Sequence, residues 1–77
     1  MQITDLIPGN KAKILGYREA DGKYRRKLLA MGLTKGTEFE LLKIAPLGDP
    51  VEISLRGFSL SLRKGEAEIM ELERVAK

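Results

Sequence analysis

The segment from Val51 to Leu62 leaves this chain the least freedom. Val51, Ile53 and Leu55 alternate with Glu52 and Ser54, and Phe58, Leu60 and Leu62 alternate with Ser59 and Ser61. A period of two is the mark of a strand with one buried face. Only Arg56-Gly57 separates the two runs, which is the length of a tight hairpin loop. Antiparallel pairing then sets Leu55 against Phe58, Ile53 against Leu60 and Val51 against Leu62. All six apolar side chains share one face, and a slip of one residue would turn a strand's apolar set to solvent, so the register is specified.

The remaining elements follow from weaker signals. Leu6-Ile7-Pro8-Gly9-Asn10 is a turn, with Ile3, Leu6 and Ile7 expected to pin the N-terminus to the body. Lys11–Tyr17 reads as a first strand. The period then changes: Tyr24, Leu28 and Met31 fall at i, i+4 and i+7, one face of a helix over 22–31. Asp21 is its expected N-cap and Gly32 the residue that ends it. A strand is expected over Thr37–Ile44 and a last one over Glu66–Leu72. Alternation breaks at Ile14-Leu15, Leu41-Leu42 and Ile69-Met70, as it does at a bulge or sharp bend. Short sheets need such bends to coil into a small barrel. The expected fold class is therefore all-β with one short helix, a five-stranded barrel forming a single domain over residues 1–77.

Composition narrows the chemistry. The 77 residues contain no cysteine and no histidine, so a disulfide framework, a thiolate site and the commonest general base are all unavailable. Ser54, Ser59 and Ser61 alternate with core positions, and Glu66, Glu68, Glu71 and Glu73 read as solvated outer faces. No catalytic residue, cofactor or metal site is expected, and the chain is not expected to be an enzyme. Asp49 and Glu52 lie close enough in sequence to meet a hard cation weakly, which is the most a metal reading can claim. The longest apolar run, Leu28 to Met31, is far short of a membrane span, and the first residues lack the basic-then-apolar build of a signal peptide. A cytoplasmic location is expected.

Charge is distributed unevenly. Residues 1–35 hold eight Lys or Arg against three acids, and residues 36–77 hold six against eight. Such a domain suits an oriented protein contact better than uniform contact with nucleic acid. The candidate contact residues are Lys23, Arg26 and Lys27 on the outer face of the helix, the loop residues Leu47 and Asp49, and Arg56 at the hairpin turn. Arg56 at such a tip has the placement of an arginine finger for a partner's phosphoryl-transfer site, although a soluble turn residue is the commoner role. Leu47 has two readings, a plug tucked under the barrel or an apolar contact for a partner. A small basic barrel binding RNA or DNA and a direct GTPase activator are the alternatives; self-association is compatible with either.

Three strings also carry a resemblance. They are Leu28-Leu29-Ala30-Met31-Gly32-Leu33-Thr34-Lys35-Gly36-Thr37, then Ala45-Pro46-Leu47-Gly48-Asp49-Pro50, and finally Arg56-Gly57 with Leu60-Ser61-Leu62-Arg63 and Glu66-Ala67. In this order and spacing the chain resembles the ferrous iron transport protein A family (FeoA) over nearly its whole length. The resemblance implies an SH3-like domain in the cytoplasm. It also implies a partner, the large membrane ferrous iron transporter with its cytoplasmic G-protein domain, and an accessory or regulatory role. The membrane would then be reached only through that partner.

Overall fold

The computed structural model describes residues 1–18 and 22–75. After a 3-10 turn at Ile3–Asp5, the elements run β1 (Lys11–Tyr17), α1 (Gly22–Ala30), β2 (Glu38–Ile44), β3 (Val51–Leu55), β4 (Phe58–Leu62), α2 (Lys64–Ala67) and β5 (Met70–Val75). The strands form one antiparallel sheet in the order β4-β3-β2-β1-β5. The β3–β4 register is the one the alternation demands, with Val51 opposite Leu62, Ile53 opposite Leu60 and Leu55 opposite Phe58. Arg56 and Gly57 both have positive φ, 51° and 85°, the backbone of a type I′ turn that matches strand twist. Leu55 is buried but its partner Phe58 stays 49% exposed, because the pair lies at the hairpin end of β4, an edge strand.

Two of the three breaks in alternation are bulges. The register shifts between Ile14 and Gly16 where β1 meets β5, and between Leu41 and Lys43 where β2 meets β3. The extra residues, Leu15 and Leu42, point outward and are half-exposed, so these sites are both bends and outer apolar residues. The third break is different. Ile69 and Met70 are both buried and form the passage from α2 into β5.

That passage corrects the last expected strand. β5 begins at Met70, and Glu66 and Ala67 belong to a single helical turn instead. Glu66 Oε1 accepts the Arg63 N–H at 3.2 Å, and the Ala67 and Glu68 N–H groups bond back to Arg63 and Lys64. Ala67 is fully buried, and Glu66 is only 3% exposed, so Glu66 is not on a solvated face. The N-terminal expectation is corrected in part: Ile3 and Leu6 are buried, whereas Ile7 is 66% exposed. Its N–H is taken by Asn10 Oδ1, which holds the Pro8-Gly9 turn outside the core.

The core gathers Ile14, Leu41, Ile53, Leu62 and Leu72 from the strands with Leu28 from α1 and Leu33 from the segment that follows it. Leu28 is the fully buried anchor of α1, and Tyr24 and Met31 pack partly buried beside it. The expected cap at Asp21 lies outside the described residues. At the other end Gly32 N donates to Leu29 O and Leu33 N to Leu28 O, a complete Schellman stop with Leu28 and Leu33 packed together. Gly32 has φ 91°, which only glycine adopts freely.

Candidate functional site: the end formed by α1, α2 and the Ala45–Pro50 loop

The Ala45–Pro50 loop is tight. Gly48 N donates to Ala45 O at 2.7 Å, closing a turn with Pro46 at its first corner and Leu47 at its second. Ala45 N donates to Pro50 O at 3.1 Å and closes the loop base. Leu47 therefore projects from a braced tip and is 94% exposed. The plug reading is excluded, because a plug would be buried.

Asp49 turns the other way. Its Oδ1 accepts the Lys64 N–H at 3.0 Å and so ties the loop to the first turn of α2. Glu52 faces Lys43 at 3.9 Å. Both acids of the weak cation reading already have partners, and the described residues contain no cluster of three or more metal-ligating side chains.

Lys27 joins α1 to α2. Its Nζ donates to Glu66 Oε2 at 2.5 Å, across 39 positions of sequence. The lysine side chain is 54% exposed and the glutamate side chain 5%. The Lys27 hydrogen bond holds the Glu66 carboxyl below its ordinary value against the opposing effect of burial, and the Arg63 N–H helps. Lys27 is thus a structural partner as well as an outward cation. Lys23 and Arg26 are exposed on α1.

Arg56 is at the opposite end of β4 from Arg63. Its guanidinium does not project from the hairpin tip but lies back toward the end of α1, where a Cβ added to Gly32 would sit 3.6 Å from Nη1. A cation there complements the helix C-terminus. Tyr17 donates its hydroxyl to the Leu33 carbonyl, with the Arg25 guanidinium 6.0 Å from its ring centroid. Tyr24 packs against Gly65 and the core. Both tyrosines are partly buried against the core.

The fold thus brings Lys27, Asp49 and the Leu47 loop to one end and leaves Arg56 at another. It also brings in Arg63 and Lys64, which are not among the candidate contact residues of the sequence, and Glu66, which the sequence places on a solvated face. Lys27, Asp49, Pro50, Ser61, Arg63 and Glu66 border an open groove of about 410 Å³. A signal for α2 was present: a glutamate three residues after Arg63 is the reach-back half of a capping box.

A family model for the FeoA domain matches residues 1–74. The chain belongs to the FeoA domain family. Over 76 residues it is 32% identical to a Porphyromonas gingivalis protein described as a fusion of Fe(2+) transport protein A with the Fe(2+) transporter FeoB. That match covers 99% of this chain and 9% of the fusion protein. The solution structure of a FeoA-like protein from Clostridium acetobutylicum is 38% identical, with a TM-score of 0.88 over 100% of this chain and 88% of that one. FeoA from Stenotrophomonas maltophilia, crystallised with zinc and described as a prokaryotic SH3 domain protein, shares the fold at 22% identity. Its TM-score is 0.78 over 95% of this chain and 89% of that one. The fold of this FeoA domain is SH3-like, and no helix among its described residues is long and apolar enough to cross a membrane.

Proposed function

We propose that this FeoA domain is a non-catalytic accessory module of ferrous iron uptake, acting in the cytoplasm by docking on the G-protein domain of the membrane iron transporter. The observation that carries the reading is the fusion relative, in which a domain like this one is covalently joined to the Fe(2+) transporter. Fusion of two chains raises their effective concentration, an advantage for partners that otherwise meet by diffusion. The surface supports the same reading: one end combines a braced, exposed Leu47 with cations on two helices. The test is co-purification of the tagged chain from cells with the transporter gene present and deleted. Recovery of the transporter, lost in the deletion strain, is expected. Recovery of nucleic acid at physiological salt in place of the transporter would overturn the proposal in favour of the RNA- or DNA-binding reading.

A further inference from the structure

We infer that the groove beside Leu47 takes a carboxylate from the partner, so that the domain recognises a segment carrying an Asp or Glu next to an apolar pocket. This rests on the proposed docking to the transporter and names the chemistry of the contact.

Two carboxylates border the groove, and both are engaged within the domain. Asp49 accepts the Lys64 N–H, and Glu66 accepts Arg63 N–H and Lys27 Nζ while almost wholly buried. Glu66 is ion-paired with Lys27, and Asp49 keeps its second oxygen and its charge, so the donors that remain for a partner are chiefly those of Arg63 with exposed Lys64 beside it. Arg63 has a five-donor guanidinium on an exposed residue, Lys27 keeps two further N–H donors beside the one given to Glu66, and Ser61 offers its hydroxyl. Donors that converge on one opening, two of them cationic, complement an anion, and an arginine fork matches a carboxylate in both charge and shape. Lys64, exposed on the next residue, adds to the field.

The second half of the site is apolar. Leu47 and the groove share the loop that Asp49 ties down, so their separation is set by a braced turn. A rigid anchor loses little freedom on binding. An apolar side chain this exposed gains most where the partner supplies a pocket that excludes water around it. Charge steers the encounter and Leu47 holds the complex.

The experiment measures binding of the full chain to the transporter's isolated cytoplasmic G-protein domain. Wild type is compared with Arg63→Gln/Lys64→Gln, with Leu47→Ala, and with Arg74→Gln as an exposed cation on β5. Melting temperature is recorded for each. The paired glutamines should weaken binding about tenfold or more and lower its salt dependence. Leu47→Ala should raise the dissociation rate, and Arg74→Gln should change nothing. A lysine placed at the contacting partner acid should cost the wild type the same factor and cost the double variant little more. Equal binding by wild type and the paired glutamines overturns the inference and leaves the docking proposal standing. Absence of any wild-type binding overturns both. Vesicles of 30% phosphatidylserine in phosphatidylcholine serve as a second probe. If they bind wild type with the same dependence on Arg63, Lys64 and Leu47, the surface faces lipid and the inference is wrong.

Discussion

Replacing Lys27 with methionine tests the claim that α2 is held by a lysine on α1. The substitution keeps the aliphatic stem and removes the ammonium 2.5 Å from Glu66 Oε2. Removing one partner of a fully buried pair costs about 3–5 kcal/mol, and an exposed pair is worth only about 0–1 kcal/mol. Glu66 is buried but the lysine side chain is 54% exposed, and Glu66 keeps the Arg63 N–H. The expected loss at pH 7 therefore falls between those limits, about 1–3 kcal/mol. For a domain of this size each kcal/mol lowers the melting temperature by roughly 4–8 °C. The pH dependence gives a second, independent reading. Glu66 has a folded pKa below the ordinary value of 4.5, so its contribution is complete above that value and is lost as pH falls through the folded one. In Lys27→Met the main cause of the lowering is gone, and burial then favours the protonated acid. The gap between wild type and variant should be widest at neutral pH and should close as pH falls below about 4.5. Urea unfolding at pH 7 and pH 4 measures both. A gap under about 0.5 kcal/mol at pH 7, or one that does not narrow on acidification, refutes the assignment of Lys27 as the partner that holds α2.

Three further outcomes are expected. Leu47→Ala should leave stability within about 0.5 kcal/mol of wild type by thermal unfolding, whereas a buried plug would lose about 2–5 kcal/mol. Gly32→Ala should cost about 1–2 kcal/mol, because φ 91° is unfavourable for alanine and the Schellman stop depends on it; equilibrium unfolding in urea is the measurement. Lys23→Glu with Arg26→Glu should slow association with the transporter domain in stopped-flow mixing. Adding Lys27→Glu to that pair should lower the melting temperature, by setting a second carboxylate against Glu66.

The legible parts of the fold are those whose determinants lie close together in sequence. The β3–β4 register needs only the alternation on either side of Arg56-Gly57, and the helix stop needs only Gly32 between Leu28 and Leu33. The bulges at Leu15 and Leu42 are also local, since an extra residue announces itself as two neighbouring apolar positions. α2 was not legible in this way. Glu66 and Glu68 sit at alternate positions and mimic the polar face of a strand, while the partner that buries Glu66 lies 39 residues earlier. Ile7 misled for a related reason: its apolar side chain suggests a core position, but Asn10 pulls its backbone into an outer turn. At the candidate site, an apolar residue in a turn identified Leu47 without deciding its direction. Its exposure depends on the two hydrogen bonds that close the loop. Arg63 and Lys64 are not legible as site residues, because what places them near Lys27 is α2, whose sequence imitates a strand.

The division of labour at this end bears on why it suits a docking surface. Its structural needs are met by groups turned inward: the Asp49 carboxylate on a backbone N–H, Glu66 in the core, and main-chain bonds across the loop. The Leu47 and Lys64 side chains do none of this work and face solvent, and exposed Arg63 adds only its charge in favour of the Glu66 carboxylate. Surface positions of that kind tolerate change within about 0.5 kcal/mol, so selection can adjust their chemistry for a partner without cost to the fold. Lys27 is the exception, because one ammonium serves both the α1–α2 junction and the rim of the groove. A partner carboxylate arriving there meets a lysine already fixed in place by Glu66, so less side-chain freedom remains to be lost on binding. The same bond that stabilises α2 therefore prepares the groove, and loosening it should weaken docking as well as folding.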